Sequence, residues 1–292
     1  MTQTLDVLQR AISVSRQLQE IVRTMKVLAA VSIRQYERAV ASLEQYGHTV
    51  ELGLVGMLRR APLPPRRPPA GGRAAIVFGS DQGLCGRFNE TLVDLVQTSL
   101  GEGRGVRILA VGARADMGLE ARGLKVEECF FVPGSVAGIT STVRQILEKI
   151  ETWRGEGIGT VDLFHHRSHG RGRYRPVQLR LLPLEEAWLR RLGGRAWPGR
   201  SLPCFTMAPP ALLAALLRQY LFVSLYRGCA ESLAAEHGQR LLSMQSAERN
   251  IERRIERLTR TYQQLRQEQI TAELLEVVTG FQALEEEDHG RA

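Results

Sequence analysis

The residues best able to do chemistry lie in one glycine-rich stretch, Gly79–Asn89, which reads Gly-Ser-Asp-Gln-Gly-Leu-Cys-Gly-Arg-Phe-Asn. It follows an apolar run typical of a strand and precedes a helical pattern, and backbone amides at such a helix N-terminus can bind phosphate. However, it lacks the Gly-Lys-Ser/Thr of a P-loop and the glycine spacing of a dinucleotide-binding turn. We therefore favour a tight turn whose glycines let two backbones approach closely, and keep a nucleotide site as the alternative.

Two other groups of side chains could act chemically. His165, His166 and His169 with Asp162 could ligate a metal ion, but the arginine-rich stretch that follows them repels cations. Cys85 could be a nucleophile, but no histidine lies near it in the sequence, which favours a small buried residue. We expect no metal, no cofactor and no catalytic residue.

Composition places the chain among ordinary globular proteins. It has 292 residues, 43% of them hydrophobic and 24% charged, with a formal net charge of +8. This length allows one or two domains. The four cysteines form no C-x-x-C pair, and the N-terminus has neither a signal-peptide nor a transit-peptide pattern, so we interpret the protein as cytoplasmic. The uncharged run 201–217 contains three prolines and is too short to span a bilayer.

Positive charge is concentrated between Arg167 and Arg200. This stretch has nine arginines and two glutamates, a local net charge of +7, which would attract an anionic partner. Its glycine-rich and arginine-rich start, Arg167–Arg175, is predicted to be a mobile basic loop.

The N-terminal segment, residues 1–58, predicts one long helix. Apolar or small side chains recur at steps of three and four over some 40 residues, which gives a narrow stripe. The proline- and arginine-rich residues 59–72 then predict a linker, because proline ends a helix.

The middle segment, residues 73–206, predicts an α/β domain. Its β-rich runs are 74–78, 106–111, 125–132, 161–165 and 177–182, and its helical stretches are 90–100, 113–121 and 141–151. Strands that alternate with helices predict a largely parallel sheet of about five strands.

The third segment, residues 207–284, predicts a second long helix, followed by an acidic tail at 285–292. From Met244 to Leu265 apolar residues recur close to every 3.5 positions, as in a coiled-coil seam. Charged residues, among them Glu248, are assigned to the outer face. Two seams at opposite ends of one chain most simply pair with each other. The predicted fold is therefore α+β: a long antiparallel two-helix coiled coil with an inserted α/β domain.

Three segments resemble one family, the central-stalk gamma subunits of F-type ATP synthases. Met25-Lys26-Val-Leu-Ala-Ala is similar to the family's first-helix signature, and Ser80-Asp-Gln-Gly-Leu-Cys-Gly-x-x-Asn89 to its glycine turn. The run from Glu231 to Met244 and the motif 266–276 resemble its C-terminal helix. Gln82 stands where the family usually has arginine. The stretches 79–83 and 218–227 look more like an alternate bacterial branch in which Na⁺ is a candidate coupling ion, and the choice between H⁺ and Na⁺ stays open.

The resemblance implies a rotary shaft without catalytic residues. It would couple ion flow through the membrane c-ring to ATP synthesis or hydrolysis at the beta-subunit sites. The implied partners are the alpha and beta subunits of F1 (3:3:1), the epsilon subunit and the c-ring of Fo, and no nucleic acid. The implied location is the cytoplasmic face of the bacterial inner membrane, with membrane contact only through Fo.

The resemblance also implies roles for individual residues. The implied contacts with beta or alpha are Met25, Lys26, Arg34, Arg240, Arg266, Gln267, Thr271, Glu273 and Glu276. The implied apolar tip consists of Val277, Val278, Phe281 and Leu284, and the structural turn of Ser80, Asp81, Gly83, Cys85, Gly86 and Asn89. From the basic stretch, we expect Arg171, Arg173 and Arg175 to face epsilon, the c-ring or anionic head groups.

Two other classes remain as alternatives. An α/β nucleotide-binding protein with coiled-coil arms would require nucleotide binding by the isolated chain. A nucleic-acid-binding coiled coil would require a steeply salt-dependent affinity, and the mixed charge signs along both helices argue against it.

Overall fold

A computed structural model describes residues 2–60, 71–101, 103, 105–168, 174–199, 201 and 204–289. For residues 2–3 and 280–289 it describes the backbone alone. The helices are α1 Thr2–Arg60, α2 Phe88–Leu100, α3 Ala113–Glu120, α4 Val136–Gly155, α5 Glu186–Gly194 and α6 Pro209–His289. The strands are β1 Gly72–Phe78, β2 Val106–Val111, β3 Glu128–Phe130, β4 Ile158–Ser168 and β5 Tyr174–Leu182.

The five strands form one sheet in the order β3-β2-β1-β4-β5. The first four are parallel, and β5 pairs with β4 in antiparallel fashion. This confirms the predicted α/β domain with a largely parallel sheet. Parallel neighbours need a crossover connection, usually a helix, which is why strands and helices alternate along the sequence.

Both faces of the sheet are covered, and the alternation along β1 shows how. Ala74, Ile76 and Phe78 face a core built with α4 and α6, whereas Ala75 and Val77 face a core built with α2 and α3. A strand buried on both faces needs a continuous apolar run, which explains the composition of 74–78.

The chain divides into two compact units. One contains the residues up to Val27 and those from Leu242 onward, and the other contains Leu28–Leu241. In the first unit the two helix segments are antiparallel, because Gln19 contacts Glu252 while Lys26 contacts Glu248. The predicted antiparallel helix pair is thus confirmed there.

In the second unit, α1 and α6 also run antiparallel beside the sheet. The ring of Tyr36 stacks on that of His237 at 5.7 Å, and the Tyr46 hydroxyl donates to Gln219 at 2.8 Å. Glycines on α6 permit a close approach: a Cβ added at Gly228 would lie 2.8 Å from a methyl group of Leu163. One added at Gly238 would lie 2.5 Å from the ring of Tyr174.

Three features differ from the sequence-based expectations. The basic stretch Arg167–Arg175 was predicted to be a mobile loop, but both of its ends belong to strands. Arg167 pairs with Arg175 in the β4–β5 ladder, and residues 169–173 lie outside the described residues. An antiparallel ladder uses backbone groups, so exposed arginines do not end it. Helix α5 was not predicted. Helix α6 continues to His289, past the expected end at Leu284. Most of the predicted linker, residues 59–72, lies outside the described residues.

Candidate functional site

The glycine turn after β1 is held by its own polar side chains. The amide N–H of Ser80 donates to Asn89 Oδ1 at 3.1 Å, and Asn89 Nδ2 donates back to Ser80 Oγ at 2.8 Å. The Ser80 hydroxyl in turn donates to the carbonyl oxygen of Gln82 at 2.9 Å. The Ser80 amide already donates to Asn89, so it is not free to donate to a phosphate.

Asp81 joins this turn to the next two strand ends. Its carboxylate accepts from the amide of Ala113 at 3.0 Å and from the amide of Val132 at 2.8 Å. Gly112 lies against the turn with φ +113°, and a Cβ there would be 2.6 Å from the nitrogen of Ser80. A side chain is thus excluded at Gly112 both by the backbone angle and by space.

Cys85 lies inside the turn and not at a reactive surface. It is 2% exposed and packs with Phe88 and Ala235. Burial raises the pKa of its thiol, and the hydrogen bond with Ser80 only partly opposes this. A thiol held neutral is a poor nucleophile, so the geometry agrees with a packing role.

Arg240 ties helix α6 to the same turn. Its guanidinium, in a residue only 7% exposed, donates to Glu236 at 2.6 Å and to the carbonyl oxygen of Gly83 at 3.3 Å. The resemblance implied that Arg240 contacts another subunit. In this chain its bonds are internal, and with Asp81 and Asn89 it fixes the turn between the sheet and α6.

Replacing Arg240 with glutamine should destabilise the domain in a pH-dependent way. Burial already raises the pKa of Glu236, and Arg240 counteracts that shift. Without the arginine, a buried carboxylate loses its partner, at a cost of about 3 kcal/mol. Protonation of Glu236 relieves this cost. The variant should therefore lose more unfolding free energy, relative to the unmodified chain, at pH 8 than at pH 4.5, which is the ordinary pKa of a glutamate. Urea unfolding at both pH values measures it, and equal deficits would contradict the explanation.

The histidines at the end of β4 are packed in the core. His165 and His166 are 1% and 3% exposed, and the ring of His166 stacks on Phe88 at 4.1 Å. Burial lowers the pKa of His165 to about 3 and that of His166 to about 4. Within the ranges that the structure describes, no three metal-ligating side chains form a cluster. His169 lies outside those ranges.

Asp162, the fourth member of the suggested metal set, is instead a buried anion between two arginines. It is fully buried, with Arg73 at 2.8 Å and Arg180 at 2.5 Å from its two carboxylate oxygens. Sequence reasoning missed this trio, because its members lie on three different strands. The signal that was available is a carboxylate in the middle of an apolar strand, which requires a partner.

At the helix pair of the first unit, Lys26 is bound within the chain. Its ammonium lies 2.5 Å from Glu248, which also accepts from Arg23 at 3.3 Å. The side chain of Glu248 is only 15% exposed, so its assignment to the outer face was wrong. It lies beside the seam and forms its ion pairs with α1 on the other side of the seam. Met25, next to Lys26, is half-buried.

The far part of α6 presents an exposed polar face. Every member of the predicted contact set on this part of the helix is exposed: Arg266, Gln267, Thr271, Glu273 and Glu276. Beyond them Val277 and Val278 are 63% and 52% exposed, while the side chains of Phe281 and Leu284 lie outside the description. This end of α6 therefore exposes apolar side chains beside its polar ones.

The remaining predicted contact residues are distributed over the second unit. Arg34 is exposed on α1, and Arg175 lies on the exposed edge strand β5. Arg171 and Arg173 fall outside the described residues. Among the helices that the structure places, none has a stretch long and apolar enough to cross a membrane.

Comparison with known proteins identifies the family. A family model described as ATP synthase matches residues 4–284, nearly the whole chain. The chain belongs to the ATP synthase family. The relatives are named ATP synthase gamma chain, which confirms the resemblance found in the sequence motifs.

Two relatives show how much of the family's length is shared. The gamma chain of Moorella thermoacetica is 29% identical over 284 residues, covering 95% of this chain and 98% of the relative. That of Salinibacter ruber is also 29% identical, covering 91% and 94%.

Chains in solved ATP synthase structures have a similar fold. A chain in the Euglena gracilis mitochondrial ATP synthase, in an assembly described as OSCP, F1 and c-ring, superposes with a TM-score of 0.68 at 17% identity, covering 97% of this chain and 95% of that one. A central-stalk and c-ring structure from Tetrahymena thermophila gives 0.56 at 19% identity, covering 78% and 99%.

Proposed function

We propose that this chain is the gamma subunit of an F1Fo ATP synthase, the rotary central shaft that couples ion flow through the c-ring to ATP synthesis or hydrolysis. The observation that carries the proposal is the match over residues 4–284 to the ATP synthase family, in a chain whose two terminal helices pair antiparallel.

The shaft makes and breaks no covalent bond. It lies inside a ring of three alpha and three beta subunits, and its different faces stabilise a different conformation in each beta subunit. Because such coupling is reciprocal, nucleotide occupancy of each beta site also biases the angle of the shaft. Catalysis therefore belongs to beta, and this chain supplies the coupling between sites.

The exposed face of α6 and the region around Lys26 are the proposed contacts with beta and alpha. Arg266 and Gln267 are exposed there, and so are Thr271 and Glu273, which suits binding to a partner that changes as the shaft turns. The exposed pair Val277 and Val278 suits an apolar sleeve at the end of the shaft.

The basic stretch 167–200 is proposed to contact epsilon, the c-ring loops or anionic head groups. Its local net charge of +7 favours an anionic surface. The proposed location is the cytoplasmic face of the bacterial inner membrane, where the protein is peripheral and reaches the membrane only through Fo.

Coexpression with the alpha and beta subunits tests this function. The chain is combined with both, the complex is purified through a tag on beta, and ATP hydrolysis is measured with and without the chain. A stable 3:3:1 complex whose hydrolysis depends on the chain is expected. If the chain stays alone and instead binds nucleotide by itself, the proposal is wrong and the α/β nucleotide-binding alternative takes its place.

Reversing charge at Arg171, Arg173 and Arg175 should uncouple the complex. Three glutamates change the local charge by six units, which turns attraction to an anionic surface into repulsion. We expect hydrolysis to continue while ATP-driven ion pumping in membrane vesicles falls several-fold. The matched control is the same triple change to glutamine, which removes the positive charges without adding negative ones and should have a smaller effect. Unchanged pumping by the glutamate variant would contradict the role proposed for this basic stretch.

A further inference from the structure

Glu248 lies between two cations of the opposite helix. Its Oε2 is 2.5 Å from the Lys26 ammonium, and its Oε1 accepts from Arg23 Nε at 3.3 Å. Arg23 also reaches Glu20 on its own helix at 3.1 Å. These four side chains carry two positive and two negative charges, so the group as a whole is neutral.

This arrangement changes what Lys26 can offer to a partner. The side chain of Lys26 is 31% exposed and can be reached from outside, but its charge is already neutralised by Glu248. The hydrogen bond from Lys26 lowers the pKa of Glu248, so the carboxylate stays ionised at neutral pH. An acidic segment of a partner must therefore compete with Glu248 for the same ammonium.

The next carboxylate along the same helix lacks this property. Glu252 accepts from the neutral amide of Gln19 at 3.3 Å, and within the described ranges it forms no ion pair across the helix pair. Of the two carboxylates, Glu248 is the one that can control Lys26, and Glu252 provides a natural control.

We propose that Glu248 is a positioning residue for Lys26: it holds the ammonium against the helix pair and competes for it with a carboxylate of beta. This inference rests on the proposed function, in which Lys26 contacts beta. Competition by Glu248 keeps that contact weak enough to be released at each step of rotation. Removal of the Glu248 charge strengthens the contact and prolongs the step.

The test is Glu248→Gln in the complex with alpha and beta. At low ionic strength, we expect ATP turnover to fall about threefold, the effect of one partly exposed ion pair. The effect should disappear in a Lys26→Gln background, because the residue through which Glu248 acts is then absent. It should also disappear in about 1 M salt, where the Debye length is about 3 Å. Glu248→Asp should restore most of the turnover.

Glu252→Gln is the matched control and should leave turnover unchanged. If Glu248→Gln slows hydrolysis equally with and without Lys26, or if Glu252→Gln slows it as much, Glu248 only supports the helix pair and the inference is wrong. If the unmodified chain forms no complex with chain-dependent hydrolysis, the proposed function fails first. If the unmodified chain forms an active complex and Glu248→Gln leaves its ATP turnover unchanged, only this inference is wrong.

Discussion

Lowering the pH from 7 to 5 is expected to remove about 4 kcal/mol of unfolding free energy from the unit that contains the sheet, through two histidines. Burial lowers the pKa of His165 to about 3 and that of His166 to about 4 in the folded state, against 6.5 for an ordinary histidine. Between pH 6.5 and 4 the unfolded chain therefore binds more protons than the folded one. Each histidine contributes its full stability above 6.5 and loses about 2 kcal/mol of it by pH 5.

Urea unfolding at several pH values, followed by the fluorescence of the fully buried Trp153, measures this loss. His237, half-buried and with its pKa lowered to about 4 chiefly by burial, adds to the effect in the same direction. Replacing His166 with glutamine should remove its share of the pH dependence. The same replacement at the exposed His48 is the matched control. A variant at His166 with the original pH dependence would show that burial does not keep this histidine neutral.

Asp162→Asn is expected to destabilise the same unit by about 2–3 kcal/mol, because it removes the charge-assisted hydrogen bonds that a fully buried carboxylate accepts from two partly exposed arginines. Arg73 and Arg180 approach the two carboxylate oxygens from neighbouring strands on either side of β4. Asparagine keeps the shape but leaves two guanidinium groups next to each other without the charge that holds them.

Asp94→Asn is the matched control for this change. Asp94 pairs with Arg122 at 2.7 Å, but both side chains are well exposed to solvent, at 46% and 39%. An exposed pair of this kind contributes less than about 1 kcal/mol. Urea unfolding of both variants gives the comparison. If both changes cost the same, the burial of Asp162 does not determine its contribution.

The sequence was sufficient for features that depend on local pattern. Apolar residues at steps of three and four predicted the two long helices, and short β-rich runs that alternate with helical stretches predicted the five strands. The strand β2 begins and ends where expected, at Val106 and Val111. Helix α5 was missed because it is short and has one fully buried side chain, Leu192.

The side-chain networks could not be predicted in the same way. Arg240 belongs to a motif implied to contact another subunit, and only the fold shows that Glu236 and Gly83 already bind it. Glu248 is next to the seam residue Ala247, a position from which a side chain can reach either solvent or the opposite helix. The choice depends on which residues of α1 lie opposite, and helix periodicity does not give that register.

The close approach of α6 to the sheet has a consequence for local unfolding. A glycine costs a helix about 1 kcal/mol relative to alanine, and α6 has Gly228 and Gly238 where it meets Leu163 and Tyr174. The two glycines lower the helical preference of this part of α6, and packing on the strands compensates for that loss. Its amide hydrogens should then exchange with solvent deuterium together with those of β4. We therefore expect this part of α6 and strand β4 to open as one cooperative unit.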